Sequence, residues 1–195
     1  MTLPFSQSCE NNKLVILEVL ERHFKAPGAL IEIAGGTGQH AQFLSAALPH
    51  VQWQSSDIPG NVELLNQRLK AAELPLALPF DVTQETFDYP QVDYVFSANC
   101  LHIMPATAVV DFFRHMKTLL KLGGLLCVYG PFKYKGEFTS PSNANFDLWL
   151  KGNNPLSGIR DFETVCELAA NAGLELIEDN AMPANNQMLV WKKIH

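Results

Sequence analysis

Cysteine is sparse in this 195-residue chain. The four present, Cys9, Cys100, Cys127 and Cys166, lie far apart and form neither a Cys-x-x-Cys pair nor a Cys/His cluster with metal-ligand spacing. A disulfide framework, a zinc module and a dithiol redox motif are therefore excluded, and no metal is expected. Positive charge is also short: 14 Lys and Arg face 20 Asp and Glu, for a net charge of −6. Among the lysines, Lys117 with Lys121, Lys133 with Lys135 and Lys192 with Lys193 come near one another in sequence, which makes no basic stripe and argues against an extended nucleic-acid partner. No apolar run approaches the length of a membrane span, and the opening MTLPFSQSCENNK lacks the basic start and apolar core of a leader peptide. The expectation is a cytoplasmic protein with no membrane partner. Repeats, low-complexity tracts and linkers are missing too, so residues 1–195 read as one domain with one sizeable core.

What the chain does contain is alternation. NKLVILEVLERHF carries Leu14, Leu17, Leu20 and Phe24 at helical spacing and reads as an opening helix. ALIEIA, VQWQSSD, LPLALPFDV, VDYVFSANCLHI and LLCVYGPF read as five strands. Helices are expected from GQHAQFLSAAL, from about Asn61 to Ala71, and from ATAVVDFFRHMKTLLK with a stop at Gly123-Gly124. After a broken stretch from 132 to 161 come a helix from DFETVC, a stop at Gly173, and two strands joined by a turn around Pro183 to Asn186. Strands so close in sequence must be antiparallel. The fold class expected is α/β: a doubly wound, mostly parallel Rossmann-like sheet of about seven strands with a C-terminal antiparallel hairpin.

In such sheets ligands bind beyond the carboxyl ends of the strands. Glu32 with the glycine loop, Asp57, Asp81, Asn99 with His102, and Tyr129-Gly130 all fall there. GTGQHA, residues 36–41, matches the dinucleotide fingerprint, with Gly36 and Gly38 expected to let a cofactor approach the backbone. Glu32 decides between cofactors. A pyrophosphate beside it would be opposed by its charge, whereas the sulfonium and ammonium of S-adenosylmethionine would be favoured. Asp57 is placed to accept from both ribose hydroxyls and Asp81 from an adenine amino group. A terminal hairpin is also common to class I methyltransferases, and there is no Tyr-x-x-x-Lys pair suited to hydride chemistry.

The segments EIAGGTGQHA, WQSSD, NCLHI, YGPF, SNANFD, GIRD and MPANNQMLVWKK together resemble a methyltransferase-like family known as a domain of unknown function, of the methyltransferase-like protein twenty-six type. The resemblance spans nearly the whole chain and implies a class I S-adenosylmethionine fold, without an assigned substrate. Two departures stand out: Ala34 replaces the first glycine of many class I loops, and ENN replaces an Arg-Asn pair, leaving Asn11 and Asn12 to face the cofactor's carboxylate.

Methyl transfer needs a positioned nucleophile and, where that nucleophile carries a proton, a base. His102 is the candidate base. Cys100 has no basic partner in sequence and reads as a packed thiol. The 132–161 segment is expected to overhang the site, with Phe146 and Trp149 as cover and Asn145, Asp147 and Arg160 holding substrate; Arg160 and Asp161 could also pair, or Asp161 could cap the next helix. The expected activity is methyl transfer to a small polar molecule or an exposed protein group. An NAD(P)-dependent oxidoreductase and a non-catalytic S-adenosylmethionine-binding protein are the other readings. The oligomeric state is left open.

Overall fold

A computed structural model of the chain describes residues 3–195. Its strands are β1 (Gly28–Ile33), β2 (Val51–Asp57), β3 (Leu78–Pro79), β4 (Val92–Ala98), β5 (Leu120–Gly130), β6 (Phe132–Tyr134), β7 (Glu137–Phe138), β8 (Arg160–Asp161), β9 (Leu174–Met182) and β10 (Asn186–Lys193). The helices are α1 (Gln7–His23), α2 (Gln39–Ala47), α3 (Val62–Ala71), α4 (Ala106–Leu119), α5 (Pro141–Asn153) and α6 (Phe162–Asn171). Seven strands form one sheet in the order β3-β2-β1-β4-β5-β10-β9. β1 to β5 are parallel, and β10 pairs antiparallel with both β5 and β9. The expected class is the observed one.

Both sheet faces are covered, which is why the central strands read as nearly continuous apolar runs. On one face Ile31, Val95, Leu126, Val128 and Trp191 pack against Phe112, Phe113 and Met116 of α4 and Val165 and Ala169 of α6. On the other, Leu30, Trp53, Phe96 and Val190 pack against Ile16 and Leu20 of α1, Leu44 of α2 and Leu65 of α3. Each fully buried Phe or Leu in these layers contributes roughly 1.5–3 kcal/mol over leaving it in water. Among the described residues no helix is long and apolar enough to cross a membrane.

Several local expectations need correction. α1 is turned relative to the expected face: Asn12, Ile16, Val19 and Leu20 are buried while Leu14 is 60% exposed. Its start is set by Ser6, whose hydroxyl accepts from the Cys9 N–H at 3.4 Å. α4 ends at Leu119, before the two glycines, because Leu120 already belongs to β5. Gly123 and Gly124 lie inside that strand, next to the register shift opposite Val92 and Tyr94, where a Cβ on Gly124 would stand 2.9 Å from Asp93 O. The 132–161 stretch is not uniformly irregular. It contains α5, capped by the Ser140 hydroxyl on the Asn143 N–H with Pro141 at the first helical position, and a small sheet of β7-β6-β8.

A candidate cofactor site at the carboxyl ends of the strands

β1 feeds a loop in which alternate residues are left-handed: Ala34, Gly36 and Gly38 have φ of 63°, 56° and 74°. For Ala34 that conformation costs roughly 1–2 kcal/mol. The glycines that follow serve different ends. A Cβ on Gly35 would meet Leu65 Cδ2 at 3.0 Å and Glu32 Oε2 at 3.1 Å, and one on Gly38 would meet Leu65 Cδ1 at 3.0 Å and Arg68 Cβ at 3.2 Å. Both are therefore required by packing against α3 and β1. A Cβ on Gly36 would have nothing within 4 Å, so of the three this is the one beside open space.

Asp57, buried at the end of β2, holds the loop in place. Its Oδ2 accepts from the Gly36 N–H at 2.8 Å, and its Oδ1 accepts from the Ile58 N–H at 2.8 Å and Asn61 Nδ2 at 2.9 Å. A carboxylate has about four acceptor positions. With three filled, one further hydroxyl can be accepted in full rather than the two expected from sequence. Glu32 is buried, with Oε2 accepting from Ser55 Oγ at 2.6 Å and Trp53 Nε1 at 3.1 Å. Burial pushes its carboxyl above the ordinary carboxylate range, against the pull of those two donors. Asp81 lies beyond the end of β3, in a turn where Oδ1 accepts from the Thr83 N–H at 2.9 Å and its hydroxyl at 2.8 Å.

These three carboxyl groups lie at one end of the sheet, where one cation, Arg68, is bonded to the glycine loop itself and a second, Lys13, is paired. Arg68 Nε donates to Thr37 O at 2.9 Å and Nη1 to Gln42 Oε1 at 2.8 Å, while Lys13 pairs with Glu10 at 2.5 Å. Three carboxyl groups against one guanidinium favour a ligand with positive charge and hydroxyls over a pyrophosphate.

On the other side of the open end, Asn99 turns the chain out of β4 with φ of 55°, its N–H donating to Tyr129 O at 2.8 Å. Three residues on, His102 is only 5% exposed. Its ring lies edge-on to Phe146 of α5, centroids 5.4 Å apart, and its Nδ1 would be 3.5 Å from a Cβ on Gly130 at the end of β5. Among the described residues neither ring nitrogen has a hydrogen-bond partner. Burial, aided by the Arg160 charge, pushes the imidazole down to about 4, so it is neutral near pH 7. Phe146 also stacks on Trp149, which is 62% exposed. Cys100 is pushed up to about 12 by burial and remains a thiol.

The residues expected to hold substrate have other partners. Asp147 accepts from the Ile159 N–H at 2.7 Å through Oδ1 and from Lys151 Nζ at 2.6 Å through Oδ2. Arg160 donates to the carbonyls of Leu101, Met104 and Leu156. Asn145 is exposed on α5. Arg160 does not pair with Asp161, whose Oδ2 lies 3.2 Å from Lys133 Nζ and whose side chain makes no cap to α6.

One part of the site was not foreseen. Gln39, buried at the start of α2, accepts from Thr37 Oγ1 at 3.1 Å and donates to Glu10 Oε1 at 2.7 Å and Ser6 O at 3.3 Å. His40 meets Asn12 Oδ1 at 2.7 Å. The opening of α1 is thereby fixed beside the glycine loop, and Asn12 is occupied by His40 while Asn11 accepts from Gln7 at 2.9 Å. No local pattern links residues 6–12 to 37–40, so only the tertiary fold reveals it. Two concavities elsewhere, of about 720 Å³ at the β1–β2 amino ends and about 610 Å³ between α4 and α6, include none of Gly36, Asp57, Asn99 or His102.

A family model described as "Protein of unknown function (DUF938)" matches residues 3–193. A stretch of 102 residues is 29% identical to O-methyltransferase pgmB of Aspergillus terreus, covering 49% of this chain and 23% of that protein. An O-methyltransferase family protein from Burkholderia thailandensis superposes with a TM-score of 0.82 at 18% identity, over 95% of this chain and 57% of the other. Human N-acetylserotonin methyltransferase, solved in complex with SAM, gives 0.80 at 17% identity, over 97% and 53%. The chain thus spans little more than half of these solved proteins, and the likeness is one of fold.

Proposed function

The chain belongs to the DUF938 family, and we propose that it is a class I S-adenosylmethionine-dependent methyltransferase acting on a hydroxyl of a small polar molecule or an exposed protein group. One observation carries the reading: Gly36, whose N–H is held by Asp57, opens onto free space at the same end of the sheet as a buried His102 whose ring nitrogens have no hydrogen-bond partner among the described residues. Gly36, Glu32, Asp57 and Asp81 would hold the cofactor, Gly38 would shape the loop through α3, and Asn99, whose side chain has no partner among the described residues, would face its methionine end. Bound S-adenosylmethionine supplies a methyl carbon already activated by its sulfonium.

The chain's own contribution is then positioning, exclusion of water and handling of one proton. Phe146 and the 155–160 segment cover His102 and keep water from it. His102 takes the proton that the acceptor hydroxyl loses as its oxygen is alkylated. A base with a low pKa suffices here, because an alkylated oxygen holds its proton far more weakly than a free hydroxyl does, and its neutral state at working pH keeps it ready to accept. The carboxyl-lined edge weighs against a nicotinamide dinucleotide.

The test is calorimetry with S-adenosylhomocysteine, S-adenosylmethionine, NAD and NADP. Micromolar binding of the first two with none of the dinucleotides is expected. Preferential binding of NAD or NADP would overturn the assignment.

A further inference from the structure

Between α5 and α6 the chain crosses the loop that carries His102, and four consecutive carbonyls of that loop are bonded from one short strap. Arg160 Nε donates to Leu101 O at 3.0 Å, the Gly158 N–H to His102 O at 2.9 Å, Ser157 Oγ to Ile103 O at 2.6 Å, and Arg160 Nη2 to Met104 O. Arg160 Nη2 also reaches Leu156 O at 3.1 Å, closing the strap on itself. The strap is anchored in turn by Asp147 on the Ile159 N–H and by pairing of β8 with β6. Among the described residues, the loop's own support is a turn at Cys100 O, accepting from the N–H groups of Ile103 and Met104. With no hydrogen bond of its own, the His102 ring is placed by its backbone and by contact with Phe146 and Gly130.

We propose that Arg160 is the positioning residue for His102, its planar fork bridging the carbonyls of Leu101 and Met104 so that the histidine between them is held facing the cofactor end of the sheet. This deepens the methyltransferase reading and rests on it for the role of His102. The fork matters because one ammonium cannot span two carbonyls in a fixed plane as a guanidinium does. Arg160 also acts through its charge. Of the charged groups on the elements packed around His102, Asp147 pairs with Lys151 on α5, and Lys133 of β6 pairs with Asp161 at the strap. Arg160, whose hydrogen bonds among the described residues go to neutral carbonyls and whose charge is met in part by Asp147, is the cation that disfavours protonation of the ring.

Two readouts separate this role from simple support of the fold: hydrogen exchange at the Gly158 amide, which reports the bond to His102 O, and titration of the His102 ring by NMR, assigned by comparison with His102→Gln. In Arg160→Gln, exchange at Gly158 should accelerate about tenfold, as for loss of a charged donor. The ring's titration midpoint should move up towards the ordinary histidine value. In Arg160→Lys, exchange should accelerate while the midpoint stays low, since the charge is kept. Binding of S-adenosylhomocysteine should be unchanged in both. Unaltered Gly158 exchange in both variants, or an unmoved midpoint in Arg160→Gln, overturns the proposal. If Arg160→Gln does not fold, Arg160→Lys and Ser157→Ala decide it: faster Gly158 exchange with an unmoved midpoint supports the clamp, and unaltered exchange overturns it. Failure of the unmodified chain to bind S-adenosylhomocysteine would sink the methyltransferase reading while leaving these two readouts to judge the clamp separately.

Discussion

Acidification from pH 7 to pH 5 should destabilise the domain largely through two histidines. His40 and His102 are both buried and both pushed down to about 4, chiefly by burial. In the unfolded chain each takes up its proton near 6.5. Between these values the unfolded state holds more protons than the folded one, so stability rises with pH in that window and is lost as pH falls from about 6.5 towards 4. At pH 5 the loss comes to about 2 kcal/mol for each ring. Together that is about 4 kcal/mol, a large share of the roughly 5–15 kcal/mol that keeps a domain folded. Glu32, held above its ordinary value by burial, works in the opposite sense, so the total slope understates the histidines' part. Variants isolate it. Urea unfolding at pH 7 and pH 5 should show His102→Gln losing about 2 kcal/mol less than the unmodified chain over that interval, and His40→Gln likewise, whatever each costs at pH 7. Equal losses in all three proteins would refute the reasoning.

The loop glycines should respond differently to substitution. Gly38→Val, which drives a branched side chain into Leu65 and Arg68 at a left-handed position, should cost roughly 1–3 kcal/mol of stability in thermal unfolding. Gly36→Ala meets nothing and should cost only about 1–2 kcal/mol, yet its methyl enters the open space and should weaken S-adenosylhomocysteine binding in calorimetry at least tenfold. Asp57→Ala should weaken the same binding by roughly 1.5–3 kcal/mol, with Asp57→Asn retaining the loop better; undiminished affinity would remove Asp57 from the site. With an acceptor in hand, His102→Ala should lower turnover by about 10²–10⁴-fold with cofactor affinity kept, and if the chain turns over, the acid limb of its rate profile should fall near pH 4 rather than 6.5.

Much of the architecture was legible because its signals are local. VQWQSSD alternates or buries residue by residue, and β2 covers those seven residues. Helix α3 and the terminal hairpin followed equally from periodicity and from the shortness of the 183–185 turn. Errors arose where tertiary packing overrode a local cue. Gly123-Gly124 looked like a helix stop, but Leu120 had already been drawn into pairing with Val92. Leu14 looked like part of an apolar face, but α1 turns Asn12 inward to meet His40. In the candidate site, the residue types singled out from sequence lie beyond the carboxyl ends of the strands, but their partners could not be read from sequence. Asp147 and Arg160 are polar groups in a covering segment, and sequence cannot distinguish such a group that faces a ligand from one that bonds a carbonyl of the next loop.

The placement of β10 has a further consequence, for how the chain is made. The last strand of the sheet to be synthesised is an interior one, lying between β5 and β9 and burying Met188, Leu189, Val190 and Trp191. Until residues 186–193 exist, β5 presents a long open edge of hydrogen-bonding groups and both apolar layers lack the side chains that finish them. Such an edge invites pairing with other chains. The contacts that close it join residues more than fifty positions apart and are slow to form. The sheet therefore stays incompletely folded until β10 has been made, and loss of that strand should yield an aggregating product rather than a smaller stable domain.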